Sequence, residues 1–338
     1  MLEWADDLKL RDIAVYLDSR QPRDVCFVSH AHSDHLGVHA RPICTPATAA
    51  LLRYRTRDAA DGATELAFGE AFDLCNHGCP DTRIKLLSAG HVLGSAMLHA
   101  TRPAGTLLYT GDFKLRPCLT VEQAEPEPAD VLVTETTYGL PFFRFPPRDL
   151  VIEQLIDLVA GAFRAGRQPI VLGYSLGKAQ EITRILTTAG FAVTAHGAVH
   201  AMNRIYEQRG VALGSFRKYD AADFHGPRAL DLRQRGVLVA PPNCARSAFV
   251  TKFDNPLRVV MTGWALLKNA RFRYGVDHAL PLSDHADFDE LLETIDRVRP
   301  KKVYTHHGYR EFVDELKRRG IDAEPARPGE QQLALFGE

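Results

Sequence analysis

Six consecutive residues of the chain concentrate side chains that can bind metal ions. They read HAHSDH and directly follow a short apolar run. Imidazole nitrogens and carboxylate oxygens are ligands that zinc, manganese and iron accept. Side chains alternate in direction along an extended segment, so the first two histidines can converge on one metal while the aspartate and the last histidine face a second. The candidate ligands are His30, His32, Asp34 and His35.

Two later positions could complete such a site. His91 lies in SAGHVLGSAM and Asp112 lies in YTGDF, and each follows an apolar run that predicts a strand. A glycine precedes both residues and allows a close approach of backbone segments. We expect the other lone histidines to be surface or core residues; they are His39, His77, His99, His196, His200, His225 and His278.

The elements that must position these residues follow from the apolar pattern. Short apolar runs between turn residues predict strands in the first part of the chain. From about residue 148, helical periods alternate with strands, which is typical of a parallel sheet covered by helices. The strand predictions for the first part are 13–17, 25–29, 84–89, 131–136 and a hairpin within 97–112.

Composition indicates a folded protein of the cytoplasm. The chain has 338 residues and is 45% hydrophobic, which is enough to bury one large core or two ordinary ones. No run of about 18 apolar residues predicts a membrane span, and the charged start does not resemble a signal peptide. Six scattered cysteines favour free thiols in a reducing compartment. We therefore expect a soluble cytoplasmic protein with no membrane partner.

Charge is distributed unevenly along the chain. Residues 148–279 hold 18 Lys and Arg against 10 Asp and Glu, although the whole chain has a formal net charge of -1. A basic segment inside an otherwise acidic chain favours contact with a polyanion. The alternative interpretation is an arginine-rich surface that is simply solvated.

The order of these motifs resembles a known family. HAHSDH, then a Gly-His pair at His91 and a Gly-Asp pair at Asp112, resembles the signature of the metallo-β-lactamase superfamily. Later motifs resemble its β-CASP nuclease group: TETTYG, LSDHAD and YTHHGY, which contain Glu135, His285 and His307. The resemblance implies an α/β fold, an αββα sandwich interrupted by an inserted α/β domain. Its domains would be 1–147 and 280–338 for the sandwich and 148–279 for the β-CASP insertion.

The resemblance also implies a role for each ligand. One metal would be held by His30, His32 and His91, and the other by Asp34 and His35. Asp112 would bridge two divalent ions, zinc or manganese, and Asp18 would orient the ligands. A hydroxide between the ions would then attack a phosphodiester.

Three further residues match the β-CASP motifs. His285 corresponds to the histidine that contacts the scissile phosphate, and Glu135 would orient it. His307 matches a position that is histidine in the RNA-processing members and reaches the second metal. The neighbouring residue His306 is a competing candidate for this metal ligand, because the alternation of side chains along a strand does not show which of the two faces the metal.

The overall layout resembles the bacterial ligase-associated DNA exonucleases. That resemblance implies a metal-dependent exodeoxyribonuclease that shortens single-stranded DNA from the 5′ end during repair, with DNA ligase and helicase as repair partners. The alternative is a β-CASP RNA endonuclease or exonuclease, which His307 favours. A scaffold without catalysis is a third hypothesis, and the complete ligand set argues against it.

The C-terminal residues suggest a further partner. The tail QLALF resembles the peptide by which bacterial DNA enzymes bind the replication sliding clamp, and its anchors would be Gln332, Leu333, Leu335 and Phe336. A short extended peptide at a free terminus suits binding in a groove. The alternative is a tail that packs its own leucine and phenylalanine side chains.

Overall fold

The structure, a computed structural model, describes residues 1–4, 7–79 and 81–327. The strands are β1 (Leu2–Trp4), β2 (Leu8–Leu10), β3 (Val15–Leu17), β4 (Val25–Phe27), β5 (Arg41–Cys44), β6 (Thr64–Glu65), β7 (Ala71–Asp73), β8 (Arg83–Ser88), β9 (Ala96–Arg102), β10 (Gly105–Tyr109), β11 (Val131–Glu135), β12 (Pro169–Leu172), β13 (Val193–Ala195), β14 (Phe216–Lys218), β15 (Val237–Ala240), β16 (Leu257–Met261), β17 (His278–Leu280), β18 (Lys302–His306) and β19 (Ala323–Pro325). The helices are α1 (Pro46–Arg55), α2 (Arg148–Arg164), α3 (Lys178–Thr188), α4 (Gly197–Gln208), α5 (Leu232–Arg235), α6 (Ala248–Thr251), α7 (Ala270–Tyr274), α8 (Phe288–Val298) and α9 (Arg310–Arg318).

The chain forms two compact units. The first contains residues 1–117, 121–144 and the described residues from 285 onward, and the second contains 118–120 and 145–284. The second unit therefore begins and ends a few residues outside the segment 148–279 that the sequence pattern marks as an insertion.

Two sheets build the first unit. One has the strand order β1-β2-β3-β4-β5-β6, and its strands from β3 to β6 are parallel. The other has the order β19-β18-β11-β10-β9-β8-β7. Strands β8, β10, β11 and β18 run in the same direction, because β9 is antiparallel to both β8 and β10, while β10, β11 and β18 pair in parallel. Their carboxyl ends consequently lie along one edge.

Alternation along the strands separates two cores. Leu86 and Leu98 face each other in the ladder and join the core that the two sheets share. The next pair, Leu87 and Met97, points to the opposite face and packs with residues of α8 and α9. Successive side chains of a strand point to opposite faces of the sheet, so a sheet that is covered on both faces contributes to two separate cores. Helix α8 begins after Asp287, whose side chain caps it by accepting hydrogen bonds from the backbone amides of Asp289 and Glu290.

The second unit contains a parallel sheet with the order β14-β13-β15-β12-β16-β17. Its central strands are buried along their whole length, as expected for a parallel sheet with both faces covered. Valine side chains of these strands pack with α2, α3 and α4 in one core.

These elements confirm the predicted α/β fold class, with a two-sheet unit and a parallel α/β unit. The predicted hairpin is also present, because β9 and β10 pair directly across a turn at residues 103 and 104. Among the described residues, none of the helices combines the length and the apolar character that crossing a bilayer would require.

Candidate metal centre

The predicted ligands follow the carboxyl ends of strands. Asp18 follows β3, the HAHSDH segment follows β4, His91 follows β8 and Asp112 follows β10. Parallel strands end at a common edge, so residues far apart in sequence meet there. The spacing of the strands, rather than the spacing in the sequence, brings these side chains together.

Four of the predicted ligands form one tight cluster. Each offers a donor atom, and these atoms all lie within 4.8 Å of one another. Nε2 of His91 is 3.0 Å from Nδ1 of His32, and Nε2 of His30 is 3.6 Å from Oδ2 of Asp112. The cluster, named here the three-histidine cluster, consists of His30, His32, His91 and Asp112.

The burial of His30 indicates that this cluster suits a metal ion. His30 is fully buried, and its Nε2 has no hydrogen-bond partner among the described residues. Its Nδ1 donates to the hydroxyl of Ser29 at 2.9 Å, which leaves Nε2 with a lone pair facing the cluster. A buried lone pair without a partner is costly, and a divalent cation would satisfy it. The donor set therefore fits zinc or manganese.

Asp18 holds the second part of the site. Its Oδ2 accepts a hydrogen bond from Nδ1 of His35 at 3.0 Å, and Nε2 of His35 lies 3.4 Å from Oδ2 of Asp112. The hydroxyl of Tyr109 and the hydroxyl of Ser29 also donate to Asp18, at 2.8 and 2.6 Å. A carboxylate that fixes the ring of a histidine is a common support for a metal ligand.

The pKa values of these residues reflect burial and charge. Burial lowers the pKa of His30 well below its usual value, and the neighbouring histidines lower it further, so the ring is neutral. Burial also acts to lower the pKa of His35, but Asp112 and Asp18 together raise it well above the ordinary value. Burial raises the pKa of Asp112, yet His35 and His285 hold it well below the normal range. Asp112 is thus an anion between imidazoles, as a bridging ligand must be.

Asp34 and His307 lie farther from the cluster. Oδ2 of Asp34 is 3.7 Å from Nε2 of His35, and the Asp34 side chain is 44% exposed. The ring centroid of His307 lies 5.7 Å from that of His35. Among the described residues, neither Asp34 nor His307 belongs to a group of donors within 4.8 Å.

His306 and His307 differ in backbone conformation. The carbonyl of His306 accepts a hydrogen bond from the amide of Thr136 at 2.9 Å, which continues the pairing of β18 with β11. His307 has a φ of 51°, in the left-handed region, so the chain turns sharply after the strand. This turn brings the ring of His307 beside His35, which the pattern of alternation alone could not indicate.

Glu135 and His285 form a pair beside the cluster. Nδ1 of His285 donates to the Glu135 carboxylate at 2.9 Å, and the amide of Phe113 also donates to it at 2.9 Å. The hydroxyl of Thr137 donates to the other oxygen at 2.5 Å. The ring of His285 lies 4.7 Å from that of His91, so this pair adjoins the three-histidine cluster.

Two glycines permit the close approach that the sequence predicted. Gly111, before Asp112, has a φ of 54°, and a Cβ there would lie 2.6 Å from Cβ of Ser29. Gly90, before His91, has a φ of 73°, and a Cβ there would lie 2.5 Å from the Lys114 carbonyl oxygen. Only glycine fits both the backbone angle and the space.

Three supporting residues were missed by sequence reasoning. Ser29 and Tyr109 donate to Asp18, and Thr137 donates to Glu135. Ser29 and Thr137 adjoin motif residues, so a search for donors beside each motif could have found them. Tyr109 is 91 positions from Asp18, and nothing in the sequence pattern links the two.

The predicted clamp-binding tail lies outside the described residues. Its residues Gln332, Leu333, Leu335 and Phe336 therefore remain a prediction from sequence.

Comparison with known proteins adds independent information. Residues 270–326 match the family described as "Zn-dependent metallo-hydrolase RNA specificity domain". Over 324 residues the chain is 37% identical to a protein named probable DNA ligase from Opitutus terrae, an alignment that covers 95% of this chain and 30% of that protein. It is 27% identical over 289 residues to the 5′ exonuclease Apollo of Gallus gallus, covering 82% of this chain and 57% of the relative.

A third relative is linked to RNA by its name. The chain is 30% identical over 185 residues to an RNase J-like protein of Methanocaldococcus jannaschii, covering 48% of this chain and 43% of that protein. The chain thus spans between 30% and 57% of the length of these three relatives.

Proposed function

Since the chain belongs to the β-CASP nuclease group of the metallo-β-lactamase superfamily, we propose that it hydrolyses phosphodiester bonds of single-stranded DNA, from the 5′ end, in DNA repair. The observation that carries this proposal is the three-histidine cluster beside the Glu135–His285 pair. In such an arrangement the metal site can activate water, and the histidine beside it can protonate the leaving oxygen.

We assign two divalent ions, zinc or manganese, to this site. His30, His32 and His91 would hold one ion, Asp34 and His35 the other with support from His307, and Asp112 would contact both. When bound, the ions lower the pKa of water and offset the negative charge of the phosphate. Asp34 and His307 would be able to take part because both lie beside His35: Oδ2 of Asp34 is 3.7 Å from Nε2 of His35, and the two histidine rings are 5.7 Å apart.

The proposed role of His285 follows from its contact with Glu135. Because Nδ1 donates to the carboxylate, Nε2 is the nitrogen left to meet the substrate. Nε2 would contact the scissile phosphate and give its proton to the departing 3′ oxygen. Water would supply its hydroxyl to the phosphorus and release its other proton to solvent, from which His285 would regain a proton. The products would therefore carry a 5′-phosphate and a 3′-hydroxyl. Glu135 holds the ring in place and stabilises its protonated form.

DNA is favoured over RNA by the extent of the similarity. The relatives named as a probable DNA ligase and as a 5′ exonuclease align with 95% and 82% of the chain, whereas the RNase J-like protein aligns with 48%. A β-CASP ribonuclease is the second candidate. It is favoured by the match of residues 270–326 to an RNA specificity domain and by the position of His307 beside His35.

A test compares labelled strands of one sequence as DNA and as RNA. Purified protein with manganese or zinc is offered 5′-labelled and 3′-labelled single strands, with Asp112→Ala as the control. Stepwise shortening of DNA alone, with the 5′ label released first, supports the proposal. Cleavage of RNA with intact DNA supports the ribonuclease instead. Activity that survives in Asp112→Ala contradicts both, because that variant lacks the carboxylate between the histidines.

A further inference from the structure

Helix α7 of the second unit presents an exposed aromatic ring among basic side chains. Phe272 is 83% exposed, more than any other large apolar side chain among the described residues. Lys268, Arg271 and Arg273 are also exposed. We name this group of four residues the Phe272 surface. A phenylalanine so exposed contributes nothing to the core, which raises the question of what it contacts.

The backbone beneath this surface is held in place. Ala270 is 2% exposed and Tyr274 packs on a core cluster, so the inner face of the short helix is anchored and Phe272 points outward. Arg246 donates to the carbonyls of Phe272 and Arg273, at 2.7 and 3.3 Å. A side chain held on a fixed backbone loses little entropy when it binds a partner.

The location also suits a ligand. Arg246 ends a short 3-10 turn, Pro242–Arg246, that follows the carboxyl end of β15, and α7 follows another such turn, Gly263–Leu266, after β16. In open parallel sheets, ligands bind beyond the carboxyl ends of the strands.

The charged residues that flank Phe272 closely in the sequence are all basic, and the nearest carboxylate along the chain, Asp277, pairs with Arg167 and Arg258. Residues 263–276 contain no aspartate or glutamate. Lys268 and Arg271 make no ion pair with any carboxylate among the described residues. Cations without local carboxylates attract a polyanion, and a single exposed ring offers a face for stacking rather than a broad apolar patch.

We propose that the Phe272 surface binds single-stranded nucleic acid, with one base stacked on Phe272 and neighbouring phosphates paired with Lys268 and Arg271. This inference rests on the proposed function, because the bound strand is the substrate of the nuclease. A protein partner would instead require a contiguous apolar area, which the surrounding basic residues interrupt.

Binding can be measured separately from cleavage. The 338-residue chain is titrated into fluorescein-labelled oligothymidylate with a chelator present, and affinity is read from fluorescence anisotropy. We expect Phe272→Ala to weaken binding about 10-fold, and Phe272→Trp to bind at least as tightly as the wild type. Phe272→Leu keeps an apolar side chain without a ring and should behave like the alanine variant. Leu150→Ala, at a residue 57% exposed in the same unit, is the matched control and should bind normally.

Salt dependence tests the contribution of the basic residues. Removing one phosphate contact with Arg271→Ala should reduce the slope of log affinity against log salt by about 0.7. Wild-type affinity in Phe272→Ala, or equal affinity of the leucine and tryptophan variants, overturns the inference. Loss of binding in Phe272→Ala, together with a wild type that cleaves neither DNA nor RNA, overturns the proposed function and leaves the binding surface standing.

Discussion

The carboxylate of Asp18 accepts a hydrogen bond from Nδ1 of His35 at 3.0 Å, and this contact decides which nitrogen of His35 faces Asp112. Asp18 itself has a φ of 48° and accepts further hydrogen bonds from Ser29 and Tyr109. Asp18 thus combines a left-handed backbone with a carboxylate that several donors hold in place, and such support is typical of residues that orient a metal ligand. The orientation of His35 thus depends on a residue that would not itself contact the metal.

Replacing Asp18 should weaken metal binding. Both carboxylate oxygens of Asp18 accept hydrogen bonds, from Ser29, His35 and Tyr109. In Asp18→Asn an amide nitrogen replaces one of these oxygens and cannot accept, so the hydrogen-bond network that orients His35 is disrupted. We expect zinc affinity to fall about 10- to 100-fold, measured by competition with a coloured chelator. Tyr109→Phe removes one donor and keeps the contact with His35, so its loss should be smaller. A folded Asp18→Asn protein with wild-type zinc affinity would contradict this role.

Replacing Glu135 should slow the reaction without releasing metal. Glu135→Gln keeps the shape of the side chain but removes the charge that stabilises protonated His285. We expect kcat to fall about 100-fold or more, with the metal content and KM close to those of the wild type. Thr137→Val removes only the hydroxyl that supports Glu135 and should cost less. Loss of bound metal in Glu135→Gln would show that the residue is a ligand instead.

Gly308 lies where two strand ends meet closely. A Cβ at this position would overlap the hydroxyl of Thr136, which follows β11 directly. Gly308→Ala should therefore push the strand ends apart and lower the free energy of unfolding by about 1 to 3 kcal/mol, measured by urea denaturation. Gly161→Ala is the matched control, because its Cβ would meet no atom closer than 3.7 Å within α2. That change should raise stability by up to about 1 kcal/mol, and a loss equal to that of Gly308→Ala would refute the steric account.

Asp130 should contribute stability that depends on pH. Lys301 and two hydrogen bonds from Thr106 lower the pKa of Asp130 to about 2 from an ordinary value of 3.8. A lowered pKa means that the contribution is fully present above the unfolded value and is lost as the pH falls towards 2. The difference in urea midpoint between wild type and Asp130→Asn should therefore be largest above pH 4 and should shrink below it. A difference that stays constant across this range would argue against the ionic contribution.

The sequence by itself determined what is local. HAHSDH follows β4 within a few residues, so chain connectivity alone keeps its histidines close to one another. The strands, the hairpin and the basic middle segment likewise follow from the order of apolar, turn and charged residues along the chain. Resemblance extended the site to Glu135 and His285, which are 150 positions apart and could not be paired from spacing.

Only the tertiary structure decided the contacts between strand ends. The hydrogen bond from Tyr109 to Asp18 joins strand ends of two different sheets, and it depends on the packing of those sheets around a shared core. No periodicity in the sequence encodes it. The left-handed backbone of His307 places its ring beside that of His35, where strand alternation alone would not put it. The next residue, Gly308, lies so close to Thr136 that a Cβ would not fit. Such contacts join residues that are distant along the chain, and their geometry is fixed by the packing of whole elements rather than by local preference.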